Sequence, residues 1–248
     1  MEDVLDMLLE QGGRCALSKV PMEILLPHSN WRMSLERADN LQGYCRDNCV
    51  LVAAEFNTSD YSKHARVRFE DISGSAQWSA AKVQFISGPP AGVDTGQLEA
   101  NVELARSRST FRVAESSTLY RRTLRGKAKS LVDSAKGRSL RRGWAFDFAY
   151  TDVLEMLLAQ RGRCYYSGVP LRYNACHTDW VMSLERLDNR LGYVKENCVL
   201  IATEFNTPDF SSRAVAEGCG SSQWSLAKVM HVWGPAVVNS SGAAYCKA

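Results

Sequence analysis

No stretch of this 248-residue chain approaches the run of about 18 apolar side chains that a helix needs to cross a bilayer, so a membrane-spanning helix is excluded. The opening also lacks the basic residues that start a secretory leader. Met1-Glu2-Asp3 is acidic, and the expectation is a soluble, intracellular protein, cytoplasmic or nuclear. Eight cysteines over this length are sparse for a secreted disulfide scaffold, and a strong overall charge is missing too, the formal net charge being +3.

What the chain does have is 45% hydrophobic residues, enough to bury a core, and an internal repeat. Between residues 15–62 and 164–211, 26 of 48 aligned positions are identical at a constant offset of 149, with no gap. A match of that length is a tandem duplication, and it divides the chain into two domains of roughly 90 residues, 1–87 and 151–235. Gly88-Pro89-Pro90-Ala91-Gly92 breaks the first domain, and residues 88–118 read as a linker holding little that could pack. Residues 119–150 then form a basic arm, and the Ser/Gly-rich tail, 236–248, is expected to fray.

The modest net charge hides an uneven distribution. Residues 120–143 carry Arg121, Arg122, Arg125, Lys127, Lys129, Lys136, Arg138, Arg141 and Arg142 against the single acid Asp133, a local +8 that leaves −5 for the rest of a +3 chain. A positive block on a slightly acidic protein points to a polyanionic partner, DNA first and RNA left open; the plainer alternative is a solvated charged helix.

Each copy opens with helical spacing: Val4, Leu5, Leu8 and Leu9 before Gly12-Gly13, and Thr151 to Leu158 with Thr151 placed to cap the second helix. Gly-Arg-Cys-x-x-Ser and Val-Pro follow, suggesting a small hairpin or knuckle. Met33–Arg37 and Cys49–Ala53 read as a two-stranded hairpin with a long loop holding Asn40, Gly43 and Tyr44. A helix is expected from about Glu55, carrying Asn57 in its first turn. Another opens at Gln77-Trp78-Ser79 and Gln223-Trp224-Ser225, with Ala81, Val83 and Phe85 offered to the core. The fold class is α+β.

A strand ending at Glu36, a return strand and a helix across them bring Glu36 and Asn57 to one point, and Glu185 and Asn206 likewise. A carboxylate and an amide oxygen suit a hard divalent ion that keeps several waters, Mg²⁺ or Mn²⁺. Such an ion can bind a scissile phosphate and stabilise the leaving oxygen.

Ser34-Leu35-Glu36-Arg37-Ala38-Asp39-Asn40, Gly43-Tyr44, Asn48-Cys49-Val50-Leu51 and Phe56-Asn57-Thr58 recur from Ser183 to Thr207. Together they resemble the ββα-metal (His-Me finger, HNH) endonuclease superfamily. The nearest branch has the signature Ser-Leu-Asp-Arg-Ile-Asp, Gly-Tyr and Asn-Val after a Cys-x-x-Thr/Ser-Gly turn. The resemblance covers about 50 to 90 residues twice. It implies two tandem ββα-metal domains, with Glu36 and Glu185 at the acidic metal-ligand position and Asn57 and Asn206 as helix-borne ligands. Asn48 and Asn197 become the asparagines that pin the loop.

One position departs from the family. Its general base is a His directly after the acidic ligand, and here that place holds Arg37 or Arg186. Arginine stays charged and cannot readily take a proton from water, but it can stabilise charge developing on phosphate. His28 and His177, eight residues before the Glu, stand as base, as partners of Cys15 and Cys49 in a zinc knuckle, or as plain loop residues. Zinc is not favoured, because the copies share no fourth ligand, and Cys15, Cys49, Cys164 and Cys198 are otherwise small buried hydrophobes. Tyr44 and Tyr193 either approach phosphate or pack beneath the loop, and whether Asp39 or Asp188 shares the ion stays open. The resulting expectation is a Mg²⁺-dependent endonuclease acting on DNA, a monomer whose two copies form a pseudo-dimer; a catalytically silent nucleic-acid adaptor is the alternative.

Overall fold

In the computed structural model, the residues described are 2–25, 29–39, 41–58, 78–107, 117–173, 178–207, 223–235 and 237. The protein is α+β, and the described residues fall into two compact units, one ending at Gly88 and the other beginning at Pro89. No helix among them is long and apolar enough to cross a membrane.

The first unit contains α1 (Glu2–Glu10), β1 (Met33–Arg37), β2 (Cys49–Ala53) and α2 (Ala80–Ser87). β1 and β2 form the expected antiparallel hairpin, with Leu35 opposite Leu51 and Arg37 opposite Cys49. Leu51, Val52 and Ala53 of β2 are buried, and Glu36, buried one residue before the end of β1, stands opposite Val50 close to where the chain turns into the loop. Instead of a helix from Glu55, β2 runs into a single 3-10 turn, Ala54–Phe56. Asn57 is the residue that leaves this turn (φ −108°, ψ 48°), so it is placed by a 3-10 turn rather than by a helix's first turn. Ser79 caps α2, its Oγ accepting from the Lys82 N–H at 3.3 Å. Of the residues expected to face the core only Val83 does, joined by Ile86, while Ala81 and Phe85 are exposed.

The second unit contains α3 (Thr95–Ser107), α4 (Ser117–Arg121), α5 (Leu124–Arg142), β3 (Phe146–Asp147), α6 (Tyr150–Ala159), β4 (Met182–Arg186), β5 (Tyr193–Val194), β6 (Cys198–Ala202) and α7 (Leu226–Trp233). β4 and β6 repeat the hairpin in the same register, and β3 lies parallel to β5. A correction falls on residues 88–118: the expected linker contains the 13-residue helix α3, whose Leu98, Val102 and Ala105 are buried. Their spacing puts them on one face, which packs against α5 and α6. Thr151 does not cap α6. Helical structure begins one residue earlier, and the Asp152 carboxylate accepts from the Ala149 N–H at 2.7 Å. The expected frayed tail lies outside the described residues apart from Val237.

Both hairpins are locked by the same side-chain device. The Gln11 amide donates to Leu51 O at 2.8 Å and accepts from Leu51 N at 2.9 Å, and Gln160 does the same for Leu200 at 2.7 and 2.9 Å. Behind each hairpin sits an aromatic pair in edge contact, Phe56 with Trp78 and Phe205 with Trp224, each at 5.5 Å between centroids.

The copies differ where the long loop meets its surroundings. An added Cβ on Gly192 would lie 1.9 Å from Ala145 O, whereas one on Gly43 would meet nothing within 4 Å. Gly192→Ala is therefore expected to destabilise the protein by more than about 2 kcal/mol, and Gly43→Ala to stay within about 0.5 kcal/mol, in urea unfolding. Equal effects would show that β3 does not press on this loop.

Candidate nucleic-acid cleft of the second unit

Each long loop is held by one asparagine. Asn48 Oδ1 accepts from Asp39 N at 2.8 Å, while its Nδ2 donates to Asp39 O at 2.9 Å and Gly43 O at 3.0 Å. Asn197 repeats the three bonds with Asp188 N (2.8 Å), Asp188 O (3.0 Å) and Gly192 O (3.0 Å). Both side chains are buried, and the buried amide spends its donors and acceptor on loop backbone that would otherwise lie unsatisfied. These bonds tie each loop to the residue that precedes its return strand.

The acids expected to hold an ion stand on the first strand of each hairpin, and the amides on the turn that follows its second strand. Asn57 Nδ2 donates to Ser34 Oγ at 2.8 Å and Leu35 O at 2.9 Å; Asn206 Nδ2 donates to Ser183 Oγ and Leu184 O, both at 2.9 Å. With the NH₂ end fixed on the strand, the Oδ1 end is turned away from it. Glu36 and Glu185 are buried at 7% and 1% exposure, and in the second unit Glu185 and Asn206 line one cleft of about 670 Å³. Among the described residues no three His, Cys, Asp or Glu side chains converge on a metal position. His28 and His177 lie outside the described residues, and so does any knuckle involving them.

Arg186, in the place of the family's base, is buried and committed. Its Nη1 donates to Asn189 O at 3.0 Å and Leu191 O at 2.8 Å, and its Nη2 to Asn189 Oδ1 at 3.1 Å. Its Nε is buried with no acceptor. The guanidinium lies 3.9 Å from the Trp144 ring centroid and 5.1 Å from that of Tyr193. Arg142 lies 5.1 Å from Trp144, and Arg138 lies 5.3 Å from Tyr193 while donating from Nε to its hydroxyl at 2.8 Å. Three guanidinium groups and two rings thus form a continuous cation–aromatic stack linking α5 to β4. In the first unit Arg37 donates to Gln42 O at 3.0 Å and lies 5.0 Å from the Tyr44 ring, but Tyr44 is 68% exposed where Tyr193 is 5%.

The basic arm divides by direction. Arg138 and Arg142, with Leu131 and Ser134, form the helical face that lines the cleft. Arg121, Arg122, Lys136 and Arg141 are exposed elsewhere. Arg125 donates to Ala105 O at 2.8 Å and Arg106 O at 3.2 Å at the end of α3, and it shares the Tyr150 ring with Lys129. Burial pushes the Lys127 pKa down. Arg125, Lys127 and Lys129 thus face the protein more than a partner.

Sequence reading missed Trp144, whose role depends on contacts far apart in the chain, and Glu55 with Glu204. Glu55 accepts the Trp31 N–H at 3.1 and 3.0 Å, and Glu204 accepts the Trp180 N–H at 2.9 Å. Trp31 and Trp180 have φ of +63° and +64°, a left-handed conformation costing about 1–2 kcal/mol, and the glutamate oxygens fix their N–H groups in it. The recurrence of Glu and Trp at an interval of 24 in both copies was the available signal. Burial raises the Cys164 pKa and pushes that of Cys198 up to about 12, so both thiols stay protonated as core side chains.

Comparison of the chain with protein-family models, with curated proteins and with solved structures found no match.

At the rim, hydrogen bonds from the Arg190 side chain and backbone hold the Asp188 pKa down to about 2. This depressed pKa favours the fold above the unfolded value near 3.9, and the contribution is lost as pH falls from about 4 through about 2. Arg190→Gln should raise the Asp188 midpoint part of the way to the ordinary carboxylate range in an NMR titration, the backbone N–H at position 190 keeping the rest of the shift. An unmoved midpoint would show that Arg190 does not set it.

Proposed function

We propose that the protein is a metal-dependent endonuclease of HNH type that hydrolyses phosphodiester bonds in DNA, built from two tandem ββα-metal domains. The observation that carries this reading is the cleft of the second unit. Two independently expected features, the Glu185–Asn206 donor pair and the cationic face of α5, line the same space.

The donor set fits a hard divalent cation: a buried carboxylate beside an amide oxygen whose nitrogen is already spent on the strand. Glu185 and Asn206 would hold Mg²⁺ or Mn²⁺, which when bound supplies Lewis-acid stabilisation of charge on the phosphodiester. The chain's own residues do the rest. Arg138 and Arg142 seat the phosphate backbone electrostatically, without reading bases. Asn197 keeps the loop, and with it the end of β4, in register. Arg186 holds the carbonyls of Asn189 and Leu191 and adds positive potential behind Glu185. Proton removal from the attacking water falls to His177 or to solvent, because a guanidinium stays protonated.

The engagement of Arg186 with loop and rings also favours a second reading, a catalytically silent nucleic-acid adaptor in which the same residues maintain only loop geometry and phosphate contact.

Supercoiled plasmid incubated with Mg²⁺ or Mn²⁺ separates the two. Cleavage that chelation abolishes is expected for the enzyme. Salt-sensitive binding with no cleavage under either metal establishes the adaptor. In both cases Arg142→Gln should weaken binding evenly across sequences and lower the slope of log affinity against log salt by about 1. An unchanged slope would remove Arg142 from the phosphate contacts.

A further inference from the structure

Resting on the nuclease reading, we infer that Thr207, and Thr58 at the same place in the first copy, is a positioning residue whose hydroxyl holds a water of the hydrated divalent cation. An acid and an amide leave most of such a cation's shell to water, and each of those waters has hydrogens to place. They need oxygen acceptors on the cleft wall.

Several oxygens on that wall are already engaged. Ser183 Oγ accepts from Asn206 Nδ2, Asn189 Oδ1 from Arg186 Nη2, and the Tyr193 hydroxyl from Arg138 Nε. Of the side-chain atoms that are buried without a protein partner among the described residues, those on the cleft belong to Arg186 and Thr207. The Arg186 Nε–H can only donate, and its charge repels a cation, so it cannot serve a cation's water. Thr207 is buried at 4% exposure, and its Oγ1 has lone pairs to accept with and a hydrogen to pass on. Thr58 Oγ1 is likewise buried with no protein partner.

Thr207 is held from both sides. Its neighbour Asn206 is fixed on β4 through both hydrogens of Nδ2, and the Thr207 carbonyl accepts from the Gln223 N–H at 2.7 Å. The backbone that carries the hydroxyl is thus set next to the expected ligand, and the side chain lines the same cleft as Glu185. A buried hydroxyl without a partner destabilises a fold, and valine would fill the same space without that cost. A hydroxyl that is unsatisfied in the metal-free chain and satisfied by the ion's water therefore acts with opposite sign in the two states. It weakens the metal-free fold and strengthens ion binding.

Calorimetric titration of the full chain with Mn²⁺, beside urea unfolding in the presence of a chelator, tests this. The Thr58→Val/Thr207→Val variant should unfold, metal-free, at a urea midpoint equal to or above that of wild type. It should nevertheless bind Mn²⁺ at least about tenfold more weakly, the scale of losing an outer-shell partner. Thr58→Ser/Thr207→Ser keeps the hydroxyl and should recover most of that affinity. A purely structural hydroxyl moves both readouts together, so a lowered midpoint in the valine variant overturns the inference. Mn²⁺ affinity unchanged in the valine variant, or lost equally in the serine variant, also overturns it and leaves the nuclease reading standing. Wild-type protein that takes up no Mn²⁺ overturns both.

Discussion

The geometry of both copies depends on one buried side-chain amide. Asn48 and Asn197 each satisfy an N–H and two carbonyls of a loop that has little regular structure of its own. Without that amide, three backbone groups near the strand end would lose their partners in a poorly solvated place, at about 1–3 kcal/mol for each left unsatisfied. The loop would part from the hairpin, and the side chains at the strand end would lose their bearing. Everything placed around Glu36 and Glu185 presupposes this bond set. Its repetition at the same offset, with bond lengths within about 0.1 Å, shows one solution kept through duplication while the flanks diverged.

Around this shared frame the second unit adds a layer. α3 and α5 cover α6, α5 ends in Gly143 with φ +66°, and the chain turns through Trp144 into β3. The left-handed glycine redirects the chain so that the ring following the basic helix comes to lie on the guanidinium of β4. Five side chains from three elements then alternate cation and ring, from Arg142 through Trp144, Arg186 and Tyr193 to Arg138. Stacking orders the long arginine side chains in advance, so less rotamer entropy remains to be lost when an anion arrives. This prearranged order distinguishes a cleft wall from a merely basic surface.

The hairpins and the helices α1, α5 and α6 were legible in the sequence because two copies constrained each other and because period-2 and period-3.6 patterns are local. The helix α3 was not, although Leu98, Val102 and Ala105 stand at helical spacing. Flanking Gly and Pro and a mostly polar surface concealed a narrow apolar stripe. The helix expected to carry Asn57 and Asn206 is a 3-10 turn, since one short turn suffices to reverse the chain at that point. Of the nine basic residues, composition could not separate the two that line the cleft from the three that face the fold. That division depends on which helix face meets α3 and Tyr150, a tertiary fact. Trp144 left no periodic trace at all, and the tryptophan-holding glutamates showed only as a Glu repeated 24 residues after a Trp in both copies, a spacing that by itself specifies no contact.

Gln11 and Gln160 carry a consequence of another kind. A two-stranded sheet leaves both outer margins open, and open margins recruit strands from neighbouring molecules. Here the glutamine amide occupies the N–H and C=O of Leu51 or Leu200 on one margin, and the amide of Asn57 or Asn206 takes the carbonyl of Leu35 or Leu184 on the other. Side chains thus stand in for the missing third and fourth strands. A hairpin of two short strands is thereby kept from pairing with its neighbours.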